Sequence, residues 1–167
     1  RGLGDVYKRQ SHYLDSATPT ERLDQIDIGR PILMSVSFQA DLVALTNHRH
    51  QLILVDLEQN TSQILDQSPH GRIAGFSWSP DGRWIAYGFS ATQNTSEIRL
   101  VEIETGETHT VTNPVLKDYR PAFDPEGKYL YFLAQREFNP VYDNLHFDLG
   151  FPRGIRPFLL TLQKDLH

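Results

Sequence analysis

The sequence predicts an all-β chain assembled from repeating four-stranded antiparallel units, and two internal alignments carry that prediction. In the first, Phe76-Ser-Trp-Ser-Pro-Asp-Gly-Arg-Trp-Ile-Ala-Tyr87 lines up with Pro121-Ala-Phe-Asp-Pro-Glu-Gly-Lys-Tyr-Leu-Tyr-Phe132. In the second, Leu52–Leu57 followed by Glu58-Gln-Asn60 lines up with Ile98–Ile103 followed by Glu104-Thr-Gly106. Both place the copies about 45 residues apart, a spacing that belongs to four-stranded β-propeller blades.

Each element of the unit follows from its local pattern. Apolar alternation on both sides of the Ser-Pro-Asp-Gly and Asp-Pro-Glu-Gly stretches predicts two strands joined by a turn. Pro80 and Pro125 preset φ for the turn, and Gly82 and Gly127 supply the positive φ that closes it. The runs Leu52–Leu57 and Ile98–Ile103 are third strands, each leading through a tight turn into a fourth. Asn60 stands where Gly106 stands, and Asn also tolerates a left-handed position. The earliest copy is degraded, with strands near Met34–Phe38 and Leu42–Leu45 and a first turn shortened to Gln39-Ala40-Asp41. One blade cannot cover its own two faces, so Phe76, Trp78, Trp84, Ala86 and Phe89 are expected to plug between neighbours. A two-sheet sandwich also uses short strands, but it leaves the repeated turn unexplained.

The expected fold is therefore a partial β-propeller. It comprises about three four-stranded antiparallel blades (about 29–69, 70–114 and 115–165) plus the tail of a fourth around Ser11–Ile28. Propellers close with about 4–8 blades, so the remaining blades are expected upstream of Ser11. Residues 1–10 resemble a translated sequencing-adaptor read-through and are set apart as a segment foreign to the fold. The chain is expected to be a piece of a longer protein.

The third unit departs from the repeat. Its second strand, Tyr129–Leu133, meets a third strand, Arg156–Leu162, only after the insertion Arg136–Ile155. That insertion carries Phe138, Tyr142, Phe147 and Phe151 between Pro140, Pro152 and Gly154. So apolar a loop is expected to fold back on the ring or cover a neighbour.

Composition removes several classes of function. With 16 Lys and Arg against 21 Asp and Glu, the net charge is −5 over 167 residues. A duplex-wrapping protein needs a basic face to displace counterions, so nucleic acid is not an expected partner. The chain has no cysteine, which excludes disulfides, zinc knuckles and thiol nucleophiles. The longest apolar run, Tyr129–Ala134, falls far short of the ~20 residues of a membrane helix, so no membrane association is expected. No charged-then-apolar leader is present, and a cytoplasmic location is expected.

The third unit also carries a resemblance. Tyr119–Leu133, the core Phe138-Asn-Pro-Val-Tyr-Asp143, the exit Phe151-Pro-Arg-Gly-x-Arg-Pro157 and the run to Leu162 resemble the end of the second propeller of tricorn proteases. The likeness extends over roughly 71–165 and is generic before it. It implies a parent that is a cytosolic serine peptidase degrading oligopeptides, with a PDZ-like domain and a protease core downstream. The propeller would filter or channel peptides to the active site, and the parent is expected to be a homo-oligomer. Two other readings remain: a protein-interaction propeller of the periplasmic Tol-system type, or the propeller cap of a prolyl-oligopeptidase-type hydrolase. The insertion favours tricorn over both.

The residues themselves supply no chemistry. The seven histidines are His12, His48, His50, His70, His109, His146 and His167. No Gly-x-Ser-x-Gly elbow or glycine-rich phosphate loop accompanies them. Ser77 and Ser79 flank a turn and are read as turn caps. His48 with His50, and His146 with Asp148, could share a strand face as metal pairs, but each lacks a third ligand. Asp81, Asp124 and Glu126 are expected to bond local backbone amides. Asn60-Thr-Ser and Asn94-Thr-Ser match the glycosylation pattern with nothing to indicate secretion. No catalytic, cofactor-binding or metal-ligating residue is assigned to this chain, and no cofactor is expected.

Overall fold

The computed structural model describes residues 26–137, 139–143, 148–150 and 154–162. The first unit is an antiparallel sheet of β1 (Pro31–Val36), β2 (Leu42–Asn47), β3 (Gln51–Asp56) and β4 (Thr61–Gln67), in chain order. The second repeats it with β5 (Phe76–Trp78), β6 (Trp84–Ser90), β7 (Ser96–Glu102) and β8 (Thr108–Thr110). In the third, β9 (Lys117–Phe123) pairs with β10 (Tyr129–Gln135). The chain then leaves as the hairpin β11 (Val141–Asp143) and β12 (Asp148–Gly150), and returns as β13 (Arg156–Thr161) on the other edge of β10. This is the predicted all-β, partial β-propeller architecture. Among the described residues nothing pairs with the far edge of β13, and no helix is long and apolar enough to cross a membrane.

The turn glycines behave as the repeat requires. Gly82 and Gly127 have φ of +72° and +70°, and Asn60 (+52°) matches Gly106 (+72°). The first turn of the first unit, however, is not shortened. Ser37 N donates to Leu42 O at 2.8 Å, as Ser79 N does to Trp84 O and Asp124 N to Tyr129 O. Val36 pairs with Val43 as Trp78 pairs with Ile85, so all three turns have equal length. Ala40 occupies the glycine position and keeps a negative φ, so Leu42 N bonds Ala40 O instead. The first two units differ in length in the next loop, between β2 and β3, where His50 takes a left-handed φ of +62°.

The core lies between blades, and β6 shows why. Ile85 through Phe89 are all buried because both faces of this strand are covered. Trp78, Ile85, Tyr87 and Phe89 pack against Ala44, Leu52, Leu54 and Leu65 of the first blade. Ala86 and Ile98 face the other way, onto Leu130, Phe132 and Ala134 of the third. The five residues expected to plug one face therefore divide. Phe76, Trp78 and Phe89 serve the first interface, whereas Ala86 serves the second and Trp84 shares its side of the strand. The outer face of the first blade (Val43, Leu45, Ile53, Val55) is met by Ile26 and Ile28.

Of the insertion's apolar side chains, those of β11 are among the described residues and do not cover the sheet. Val141 and Tyr142 on β11 are 53% and 54% exposed, so this tyrosine does not fold back. Phe138, Phe147 and Phe151 lie outside the described residues. The neck of the insertion is fastened instead. Arg136 pairs with the fully buried Asp118 at 2.7 Å and lies 4.8 Å from the Phe158 ring centroid, while Glu137 pairs with Arg156 at 2.9 Å.

Candidate functional site

The site that this architecture builds is the edge along which β1, β5 and β9 converge. Three hydrogen bonds join the first strands of successive blades there. Trp78 Nε1 donates to Ser35 O at 3.3 Å, Phe123 N to Ser77 Oγ at 3.2 Å, and Arg120 N to Ala74 O at 3.2 Å. Blades that touch along their first strands form wedges, and in a closed propeller such a convergent edge faces the axis.

Each of these first strands is bent by an extra residue near its start. In β1 the irregularity falls between Pro31 and Leu33. Before β5, Gly88 bonds both Ala74 and Gly75; in β9 the shift surrounds Arg120. Gly75 takes φ +87° and Arg120 takes φ +51°. A Cβ on Gly75 would sit 3.4 Å from Arg120 Cα, so the two backbones are in contact. A left-handed arginine costs about 1–3 kcal/mol, and bulges of this kind re-aim side chains at functional edges.

At the turn end, the three turns lie side by side. Gln39 Nε2 donates to Pro80 O at 3.1 Å, and Gly82 abuts the Gln39 side chain. Between the second and third blades a groove of about 510 Å³ opens, lined by Pro80, Asp81, Trp84, Leu100, Phe123 and Glu126 among others. Asp81 accepts from the Ser79 hydroxyl and from Arg83 N, and the hydroxyl bond foremost holds its carboxyl below the ordinary range. Away from the axis, Tyr87 Oη donates to Asp66 at 2.6 Å, and Arg99 bridges Asp66 and Glu97 while stacking 3.4 Å over Phe89. Burial foremost, then the Asp66 carboxylate, pushes the Tyr87 hydroxyl well above its ordinary pKa.

The residues singled out from sequence are distributed as follows. Ser79 caps its turn, accepting from Trp84 N at 2.9 Å, whereas Ser77 is no turn cap but a bridge to the third blade. Asp81 and Asp124 bond local amides, but Glu126 pairs with Lys128 instead, because its longer chain reaches past the turn. His48 and His50 lie around a turn, not on a strand, and His48 Nδ1 already accepts from Arg30 N at 3.1 Å. The described residues contain no group of three His, Asp or Glu that could hold a metal. His12, His146 and His167 lie outside the described residues, as does the Asp148 side chain. His70 and His109 are exposed, as are Asn60 and Asn94. The sequence reading passed over Gly75 and Arg120, although Gly75 ahead of a strand and the Arg120-Pro121 step inside one are both signals of irregular backbone.

The family model of the tricorn protease second beta propeller domain matches residues 7–167. The chain belongs to the tricorn protease family. It is 34% identical over 143 residues to a tricorn protease homolog of Saccharolobus solfataricus, covering 86% of this chain and 13% of that protein. It matches the crystal structure of the tricorn protease with a TM-score of 0.72 at 28% identity, over 81% of this chain and 14% of the other. A TolB of Acinetobacter baumannii shares the fold at 21% identity, with a TM-score of 0.52 over 70% of this chain and 31% of that one. The chain thus spans about a seventh of the length of the tricorn proteins it matches.

Proposed function

We propose that this chain is the non-catalytic propeller of a serine-type peptidase that degrades oligopeptides. It filters or channels peptides along its axis to an active site carried elsewhere in the parent, beyond a PDZ-like domain. The convergent edge of β1, β5 and β9 is the observation that supports this reading, since in a closed ring it offers a passage along the axis. A passage of this kind admits an extended chain and turns away a folded one. The same reading makes the parent a cytoplasmic homo-oligomer. It divides the chain into blades at about 29–69, 70–114 and 115–165, with 1–10 foreign to the fold and the ring completed by blades from the rest of the parent.

The test is covalent labelling. The full-length parent treated with a serine-directed fluorophosphonate is expected to take up label at one serine outside residues 1–167. Stoichiometric label on any serine within them would overturn the non-catalytic assignment.

A further inference from the structure

The aligned turns make Val36, Trp78 and Phe123 equivalent, each pairing across its turn with Val43, Ile85 and Leu130. Six residues ahead of each stands a cation: Arg30, Arg72 and Lys117. Their backbone settings agree as well. His48 N donates to Arg30 O, Ser90 Oγ donates to Arg72 O, and Lys117 pairs with Gln135, so the backbone of each lies opposite the end of its blade's second strand. All three are exposed where the chain enters the first strand, at one mouth of the axial edge. The bulged Arg120 lies on the same strand as Lys117.

Ion pairing sets these residues apart. Among the described residues, Arg49, Arg83, Arg99, Lys128, Arg136 and Arg156 each pair with a carboxylate. Arg30, Arg72, Lys117 and Arg120 are the Lys and Arg residues there that do not. In a chain of net charge −5, Arg30, Arg72 and Lys117, without a carboxylate partner among the described residues, recur at one position from blade to blade, with Arg120 on the strand of the last. An exposed pair contributes little alone, but several like charges around one mouth attract and orient an anion together.

We propose that Arg30, Arg72, Lys117 and Arg120 form a cationic collar that binds the carboxylates of oligopeptides entering the channel. This deepens the channel reading and rests on it for the identity of the ligand. Several positive charges around one mouth attract carboxylates together whether arginine or lysine carries them, and the left-handed backbone of Arg120 sets it against Gly75 at the same edge.

The test compares the full-length parent with a variant carrying Arg30→Glu, Arg72→Glu and Lys117→Glu. All three side chains are exposed, and a second variant with Arg30→Lys and Arg72→Lys keeps the charge. Three fluorescein-labelled peptides of equal length serve as probes in polarisation binding: Asp-rich and amidated, neutral with a free C-terminus, and neutral and amidated. Reversal is expected to weaken binding of a carboxylate-bearing peptide about tenfold, with the lysine variant binding as the parent does. The neutral amidated peptide should be indifferent. Loss with the Asp-rich peptide identifies acidic side chains as the ligand, and loss with the free C-terminus identifies the terminal carboxylate. Equal binding of all three probes by parent and variant overturns the collar, whatever the turnover. Weakened binding with unchanged kcat/KM keeps the collar and overturns the channel reading.

Discussion

The two blade interfaces are built differently. The first joins large side chains: Trp78, Tyr87 and Phe89 fill it, and the Tyr87–Asp66–Arg99 network spans it. The second brings backbones together. Ala86 and Gly88 leave room there, and a Cβ on Gly88 would meet Ala74 O at 3.2 Å and Tyr119 Cα at 3.4 Å. Ser96 and Lys117 form a parallel bridge across it, and the hydroxyls of Ser77 and Ser96 bond the backbone of the third blade. Equivalent positions in a repeat thus do unequal amounts of work. Small residues permit close approach and shift the load to polar backbone contacts, while large ones keep the sheets apart and carry it by buried area.

The largest expected effect sharpens this contrast. Trp78 is 7% exposed and spans the first interface, whereas Phe123, its repeat partner, is only half-buried at the second. Trp78→Ala should lower the local opening free energy by about 3–5 kcal/mol, the cost of removing a buried aromatic. Phe123→Ala should lower it by less than half of that. Hydrogen exchange on peptides spanning β5–β6 and β9–β10 of the intact parent measures both. Equal losses would mean that the interfaces share one design after all.

Much of this fold was legible in the sequence because alternation and turn glycines are local signals. The Gly82 and Gly127 turns, the Asn60–Gly106 match and the insertion between β10 and β13 all follow from short windows. The length of the first turn is not legible, because Ala40 stands where glycine marks it elsewhere, while the pairing of Val36 with Val43 preserves it. The split of Trp84 and Ala86 from Phe89 needed only strict parity along one strand, which the aromatic pattern obscured. The axial edge was not legible. Hydrogen bonds from Arg120 to Ala74 and from Phe123 to Ser77 join segments 46 residues apart, and no local pattern encodes them. The cation ahead of each first strand was present in the letters all along, but it comes into register only when the first turn is given its full length.

The next effect separates the turns by what they touch. Both Gly82 and Gly127 are left-handed, so alanine at either position strains the backbone by about 1 kcal/mol or more. Gly82 has a further constraint, since its Cβ would lie 3.0 Å from Gln39 Cβ, against 3.9 Å to Pro80 for Gly127. Relieving that contact displaces Gln39 from its bond to Pro80 O. Gly82→Ala should therefore destabilise by about 2 kcal/mol and Gly127→Ala by about 1. Thermal unfolding of the two single variants checks the order, and a reversed order would show that the turns are not in contact.

The smallest effect is a pH dependence that only the first interface should show. Tyr87 is fully buried, and its hydroxyl donates to Asp66, so the folded chain holds its proton far more tightly than the unfolded chain does. Below about pH 10, the ordinary tyrosine pKa, the hydroxyl is neutral in both states and its stabilisation is complete. Above that, the unfolded chain releases the proton while the folded chain keeps it, so stability falls as pH rises. One such group gives a slope approaching about 1.4 kcal/mol per pH unit, or a loss of about 1 kcal/mol between pH 10 and 11. Tyr87→Phe keeps the ring in the interface and removes the proton. The variant should therefore lose that part of the alkaline slope in denaturant titrations of the parent. An unchanged slope would mean that water reaches the hydroxyl, and that the first interface is as open as the second.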